Sequence, residues 1–162
     1  METLALIAQA AVTGCLAAWT VTAVRDNWMH PRINLEAVAM VMRFDRMAAD
    51  FPEDFALLAH RRIDDPRLHR LAFRLIVASE TLAAILLSLG ATLLVLAAFG
   101  AVGTLAAKSV AVAGTVVFSA TWAGFVAGGN HFAYWYCHEG AQTTHMMLVV
   151  WGFLATILLL VV

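Results

Sequence analysis

Charge is scarce in this chain. Only 13% of its 162 residues are Asp, Glu, Lys or Arg, against about a quarter in an ordinary soluble domain. Ten Lys and Arg face eleven acidic residues for a net charge of −1, and no basic run is present. That excludes a surface built to track nucleic-acid phosphates. Cysteine is scarcer still. Cys15 and Cys137 cannot make a disulfide framework, and Cys15 sits inside an apolar run, so both read as free thiols. Chemical motifs are missing as well: there is no G-x-S-x-G, no paired metal-binding motif on a helix and no phosphate-cradling glycine loop. Their absence argues against a stand-alone hydrolase. No internal repeat of roughly 20–50 residues is visible either.

What the chain has in quantity is apolar sequence, 62% of its residues. Crossing the hydrocarbon core takes about 20 mostly apolar residues in a helix. Four stretches qualify: Thr3–Val24, Leu71–Phe99, Thr104–Gly129 and Thr143–Val162. The expected fold is therefore an all-α integral membrane protein, a bundle of four transmembrane helices forming one domain over residues 1–162. A polar, partly helical insert (about residues 25–70) separates the first helix from the second. The first stretch contains "VTGC", which resembles a lipoprotein cleavage box. It lacks a basic start, however, and stays apolar past Cys15, so it is read as a retained helix.

Ala10, Gly14 and Ala18 recur every four residues in the first helix, and Gly124 and Gly128 do so in the third. Such faces let helix backbones approach closely in lipid. In the insert, "INLEAVAMVMRF" places Leu35, Val38 and Met42 on one helical stripe with Asn34 as the N-cap, while Pro52 and Pro66 mark turns. An amphipathic helix at the membrane surface or docked on a partner fits this segment. Arginine is concentrated in the insert, which by the positive-inside tendency makes it cytoplasmic and both termini external.

Two features could carry chemistry. Glu80 stands within the second apolar stretch. An ionisable group there faces the bundle interior or a water-filled cavity, as a proton relay, a quinone hydrogen bond, a partner for an arginine or a structural hydrogen bond to another helix or to the insert. Arg74, nearer the helix end, is expected to snorkel to the interface. The second feature is "GGNHFAYWYCHEGAQTTH", residues 128 to 145. His131, His138 and His145 are spaced by seven and would share a face on one continuous helix. A helix running from Thr104 through Tyr136 would be about 50 Å long, well beyond the bilayer. A turn near Gly140 is expected instead, with the cluster capping the junction of the third and fourth helices. Tyr134, Trp135 and Tyr136 then read as an interfacial aromatic belt.

Three chemistries remain open for this rim. Haem b or a quinone could be held between His138, His145, His30 and Glu80. A copper or zinc ion could be held by His131, Cys137 and His138, with Met146 and Met147 nearby. The bland alternative is a membrane interface and docking surface.

Read in order, "NWMHPRINLEAVAMVMRFDRM", "HRRIDDPRLHRLAFRLIVASE" and "AKSVAVAGTVVFSATWAGFVAGGNHFAYWYCHEGAQ" make the chain resemble a bacterial family of small integral membrane proteins, domain of unknown function 2165. Asn27, Asn34, Asp45, Arg61, Ile63, Glu80, Ala107, Lys108, Gly129, Phe132 and Trp135 fall at places comparable to that family's pattern. The resemblance implies four spans and a bacterial inner membrane, gives weight to Glu80 and implies no activity. The chain departs from the pattern at Asn130 and His131, where the family looks like Glu-Trp. It departs again at Cys137, His138, Glu139 and Gly140, where small polar residues and Trp-Asn-Gly follow. The histidines therefore belong to this member or its branch.

The leading functional expectation is a non-catalytic accessory or anchor subunit of an inner-membrane complex, respiratory or photosynthetic. Its partners would be the lipid bilayer and other membrane subunits, with no nucleic acid. The alternatives are a haem- or quinone-binding redox subunit and a copper or zinc carrier.

Overall fold

A computed structural model describes residues 1–161; the end of the expected fourth span, Val162, lies outside the described residues. Four helices are long and apolar enough to cross a membrane: α1 (Glu2–Met29), α5 (Pro66–Ala98), α6 (Thr104–His131) and α8 (Glu139–Val161). Between α1 and α5 lie α2 (Pro31–Met42), α3 (Asp45–Asp50), α4 (Pro52–Leu58) and a 3₁₀ turn at Ala59–Arg61. A single turn of helix, α7 (Tyr134–Cys137), joins α6 to α8. No strand occurs among the described residues.

The long helices outrun the membrane. At 1.5 Å per residue, α5 is ~50 Å long, against a hydrocarbon core of about 30 Å. Its first turns, with Arg67, Arg70 and Arg74, therefore extend toward the headgroups. Helix α1 likewise continues past Val24 through the polar Arg25–Met29. Much of the apolar surface points outward: Leu82, Ile85 and Leu89 on α5 and Phe153, Leu154 and Ile157 on α8 are exposed. A bilayer accommodates these faces.

Helix α1 packs on α5, α5 on α6 and α6 on α8, with a lighter α1–α8 contact. The end of the bundle nearest the α5–α6 turn is filled by Leu6, Leu94, Ala107 and Leu159, and the middle by Leu16, Leu87, Phe118 and Trp122. Two glycines set the α5–α6 distance. A Cβ on Gly90 would lie 2.6 Å from Ala111 Cα, and one on Gly114 would lie 2.9 Å from the Leu87 nitrogen. These are not the small residues that the sequence singled out. Ala18 is exposed, Gly14 meets only Ala91 at 4.0 Å, and Gly124 and Gly128 have nothing within 4 Å of a Cβ. Spacing alone does not say which face finds a neighbour.

Polar side chains inside the bundle tie helices together. Gln9 Nε2 donates to the Leu158 carbonyl at 2.9 Å, linking α1 to α8, and Thr156 donates to Thr115 at 2.8 Å between α8 and α6. With no water at this depth, such bonds replace what hydration would supply.

Three local expectations change. Asn34 is not an N-cap but lies inside α2, whose first residue is Pro31; proline's fixed φ and missing N–H suit the first helical position. Pro52 and Pro66 likewise open α4 and α5, the latter capped by Asp65, which accepts from the Arg67 amide at 2.8 Å. The α6–α8 break falls at Ala133, in the left-handed region at φ 53°, and Gly140 lies within α8. A second left-handed residue, Phe44 (φ 56°), turns α2 into α3. Both turns meet in one buried cluster with Met47 and Cys137, where Phe44 packs edge-on against Phe132 at 5.6 Å.

Candidate functional site

The helices converge on a cavity of about 550 Å³ where α2 crosses α5 and α7 joins α8. Its polar wall starts from Glu80, which is only 4% exposed. The Asn27 amide donates to Glu80 Oε2 at 2.6 Å, and the Asn34 amide donates to Asn27 Oδ1 at 2.5 Å. Three helices thus contribute to one chain of hydrogen bonds, from α2 through α1 to α5. This explains why α1 continues beyond its apolar run, because its last turns carry Asn27 to Glu80. It also places Glu80 level with Asn27, in the last turns of α1. Beside it, the Trp28 indole donates to Thr81 Oγ1 at 3.2 Å.

The opposite wall is aromatic. The His145 ring stacks on Trp122 at 5.3 Å and lies 4.5 Å from Phe125, with its Nδ1 buried and unpartnered. Tyr134 sits between the two histidines, 6.0 Å from the His145 ring and 5.3 Å from that of His138. Tyr134 is itself buried and lines the cavity, whereas Trp135 is 48% exposed. Burial raises the Tyr134 hydroxyl's pKa, so it stays protonated at neutral pH and can donate. The His138 pKa is lowered, first by burial and then by the Arg46 guanidinium, with Glu139 opposing, which favours the neutral imidazole. Arg46, which also lines the cavity, donates from Nη1 to the Cys137 carbonyl and holds α3 against the α7 turn.

Of the residues singled out in the sequence, Glu80, His138 and His145 line this one cavity. His30 does not; it is exposed at the α1–α2 junction. His131 is exposed at the end of α6, its ring against Phe132 and its carbonyl accepting from Arg61 at 3.4 Å. Cys137 is buried on the far side of the α7 turn beside Phe44 and Met47, where burial raises its thiol pKa. Among the described residues, no three histidine, cysteine or carboxylate side chains come together as a metal-binding group.

Sequence reasoning missed the roles of Asn27, Arg46, Phe125 and Tyr134. For Asn27 a signal existed: an amide one turn past the end of an apolar run, in a chain with a carboxylate in the next span. Phe125 and Trp122 carried none, because an aromatic residue in a membrane helix looks the same facing lipid or facing a cavity.

Comparison with curated proteins and with solved structures gives no match. A family model described as predicted small integral membrane protein, domain of unknown function 2165, matches residues 5–162. With nearly its whole length covered and four spanning helices in place, the chain belongs to that family of small integral membrane proteins.

Proposed function

We propose that this protein is a quinone-binding membrane subunit, holding the headgroup of a redox-active quinone in the cavity beside Glu80. In this reading it is an accessory subunit of a larger respiratory or photosynthetic assembly in the bacterial inner membrane. The observation that carries the proposal is the convergence of Glu80, Asn27, His138 and His145 on one aromatic-walled cavity. A quinone ring is flat and apolar on its faces, with two carbonyl oxygens at its edge. The aromatic wall suits the faces, and the imidazole N–H groups and the Tyr134 hydroxyl suit the carbonyls. Glu80, with one oxygen held by Asn27, is placed to exchange a proton with a reduced ring. Electrons come from neighbouring subunits.

Haem fits less well. Bis-histidine ligation needs two imidazoles on opposite faces of the porphyrin, whereas His138 and His145 lean on the same tyrosine and His145 is already stacked on Trp122. The arginines between Arg25 and Arg70 support a cytoplasmic position for this rim and the segment that covers it.

The test is a reduced-minus-oxidised absorption spectrum of the gently purified protein, with quinone extraction and metal analysis on the same sample. Near-stoichiometric quinone, lost in Glu80→Ala, is expected. A Soret band abolished by His138→Ala or His145→Ala would overturn the proposal in favour of haem.

A further inference from the structure

A second hollow of about 330 Å³ adjoins the first and shares Val38, Val41, Ile76, Phe125 and Tyr134 as walls. Its character differs. Apart from Thr121 and Tyr134 it is lined by apolar side chains and glycine, with α2 on one side, α5 on another and Gly124 and Gly128 of α6 as its floor. Those glycines leave open space where a Cβ would stand, and Leu75 at the mouth is 62% exposed. Leu75, Gly124 and Gly128 all lie on helices long and apolar enough to span, so the mouth opens on a flank of the bundle that a bilayer would border. An apolar channel on that flank suits hydrocarbon better than water. The polar cavity adjoins it across the shared side chains, and α2 borders both through Val38 and Val41.

We infer that the two hollows form one site for a single-tailed amphiphile, whose ring lies beside Glu80 and whose tail leaves sideways into the bilayer over Gly124 and Gly128. This rests on the quinone reading for the head and adds the tail, the lateral route and the residues that shape it. The substrate class is then a lipid quinone with an isoprenoid or alkyl chain, taken from the membrane without passing through water. The open GxxxG face of α6 is the bed of the tail. A side chain on either glycine would fill the channel while leaving the head cavity's walls unchanged.

The experiment compares two probes in lipid nanodiscs, a decyl-tailed benzoquinone and the same head bearing only a methyl group, read by quenching of protein fluorescence. Wild type is expected to bind both. Gly124→Leu and Gly128→Leu should weaken the decyl probe at least about tenfold while leaving the methyl probe within about twofold, whereas Glu80→Ala should weaken both. Equal effects of the leucine variants on the two probes, or none on either, would overturn the tail channel. Gly124→Ala, which adds only a methyl group, separates steric blocking from misfolding: an intermediate loss for the decyl probe supports the channel. If wild type binds neither probe, the quinone reading falls. Lipid mass spectrometry then judges the channel alone. A co-purified single-tailed lipid depleted in Gly128→Leu would keep the channel, and an unchanged lipid content would remove it.

Discussion

Gly114, near the middle of α6, and Gly124 and Gly128, nearer its rim end, do opposite things. Gly114 touches the backbone of α5 so closely that any side chain would collide, and its counterpart Gly90 does the same against Ala111. About three and four turns further along the same helix, Gly124 and Gly128 leave open space where a Cβ would stand. The helices are therefore in contact toward the α5–α6 turn and splayed at the rim, and α2 together with α7 covers the gap without filling it. In lipid, where neighbouring chains are as apolar as leucine, close packing is the main force holding helices together. The contrast thus separates a half that supplies stability from a half that supplies space. A pocket in one half of the bundle requires a firm grip in the other.

Substitutions can test that contrast, beginning with the largest effect. Gly90→Leu drives a branched side chain into the α5–α6 backbone contact and should cost about 3 kcal/mol or prevent folding altogether. Gly124→Ala, on the same pair of helices, should change stability by less than about 0.5 kcal/mol. Thermal unfolding of both variants in mild detergent checks the pair, and similar losses would erase the distinction. Next in size, Asn27→Ala leaves the Glu80 carboxyl buried without its donor and should cost about 2 kcal/mol. Glu80→Gln retains an acceptor for Asn27 and should cost less than half of that. The order of the two melting temperatures is the readout.

The smallest effect is acidic. His138 has a folded pKa below its ordinary value, so folding disfavours its protonation. The stability this contributes is present above the unfolded imidazole pKa and is lost as pH falls through the folded one. Lowering pH from about 7.5 to about 5.5 should therefore loosen the rim. His138→Gln should flatten that part of the melting-temperature profile, and a profile unchanged by the substitution would assign the acid sensitivity elsewhere.

Most of the scaffold was legible in the sequence, because hydrocarbon admits few alternatives to a helix with every backbone group paired. The four spans appear where about 20 apolar residues run together, and their ends move mainly because helices continue into the headgroups. Helix α2 was legible too, from its stripe of Leu35, Val38 and Met42. The turn was not. A left-handed alanine at 133 has no sequence signature, whereas Gly140 advertises a flexibility that the fold does not use. The site was half visible: Glu80 and all four rim histidines stood out by chemical type, and of these Glu80, His138 and His145 line the cavity. What assembled them, Asn27 reaching across from α1 and Tyr134 standing between two imidazoles, depends on neighbours far apart in the chain.

The bond from Gln9 to the Leu158 carbonyl joins positions 149 residues apart. The ribosome therefore delivers the amide of α1 to the membrane long before it makes the carbonyl of α8. Until then the Gln9 amide lacks this acceptor. Helix α8 also brings His145 to the cavity, so the bond of Gln9 and the aromatic wall both wait for the last span to be made.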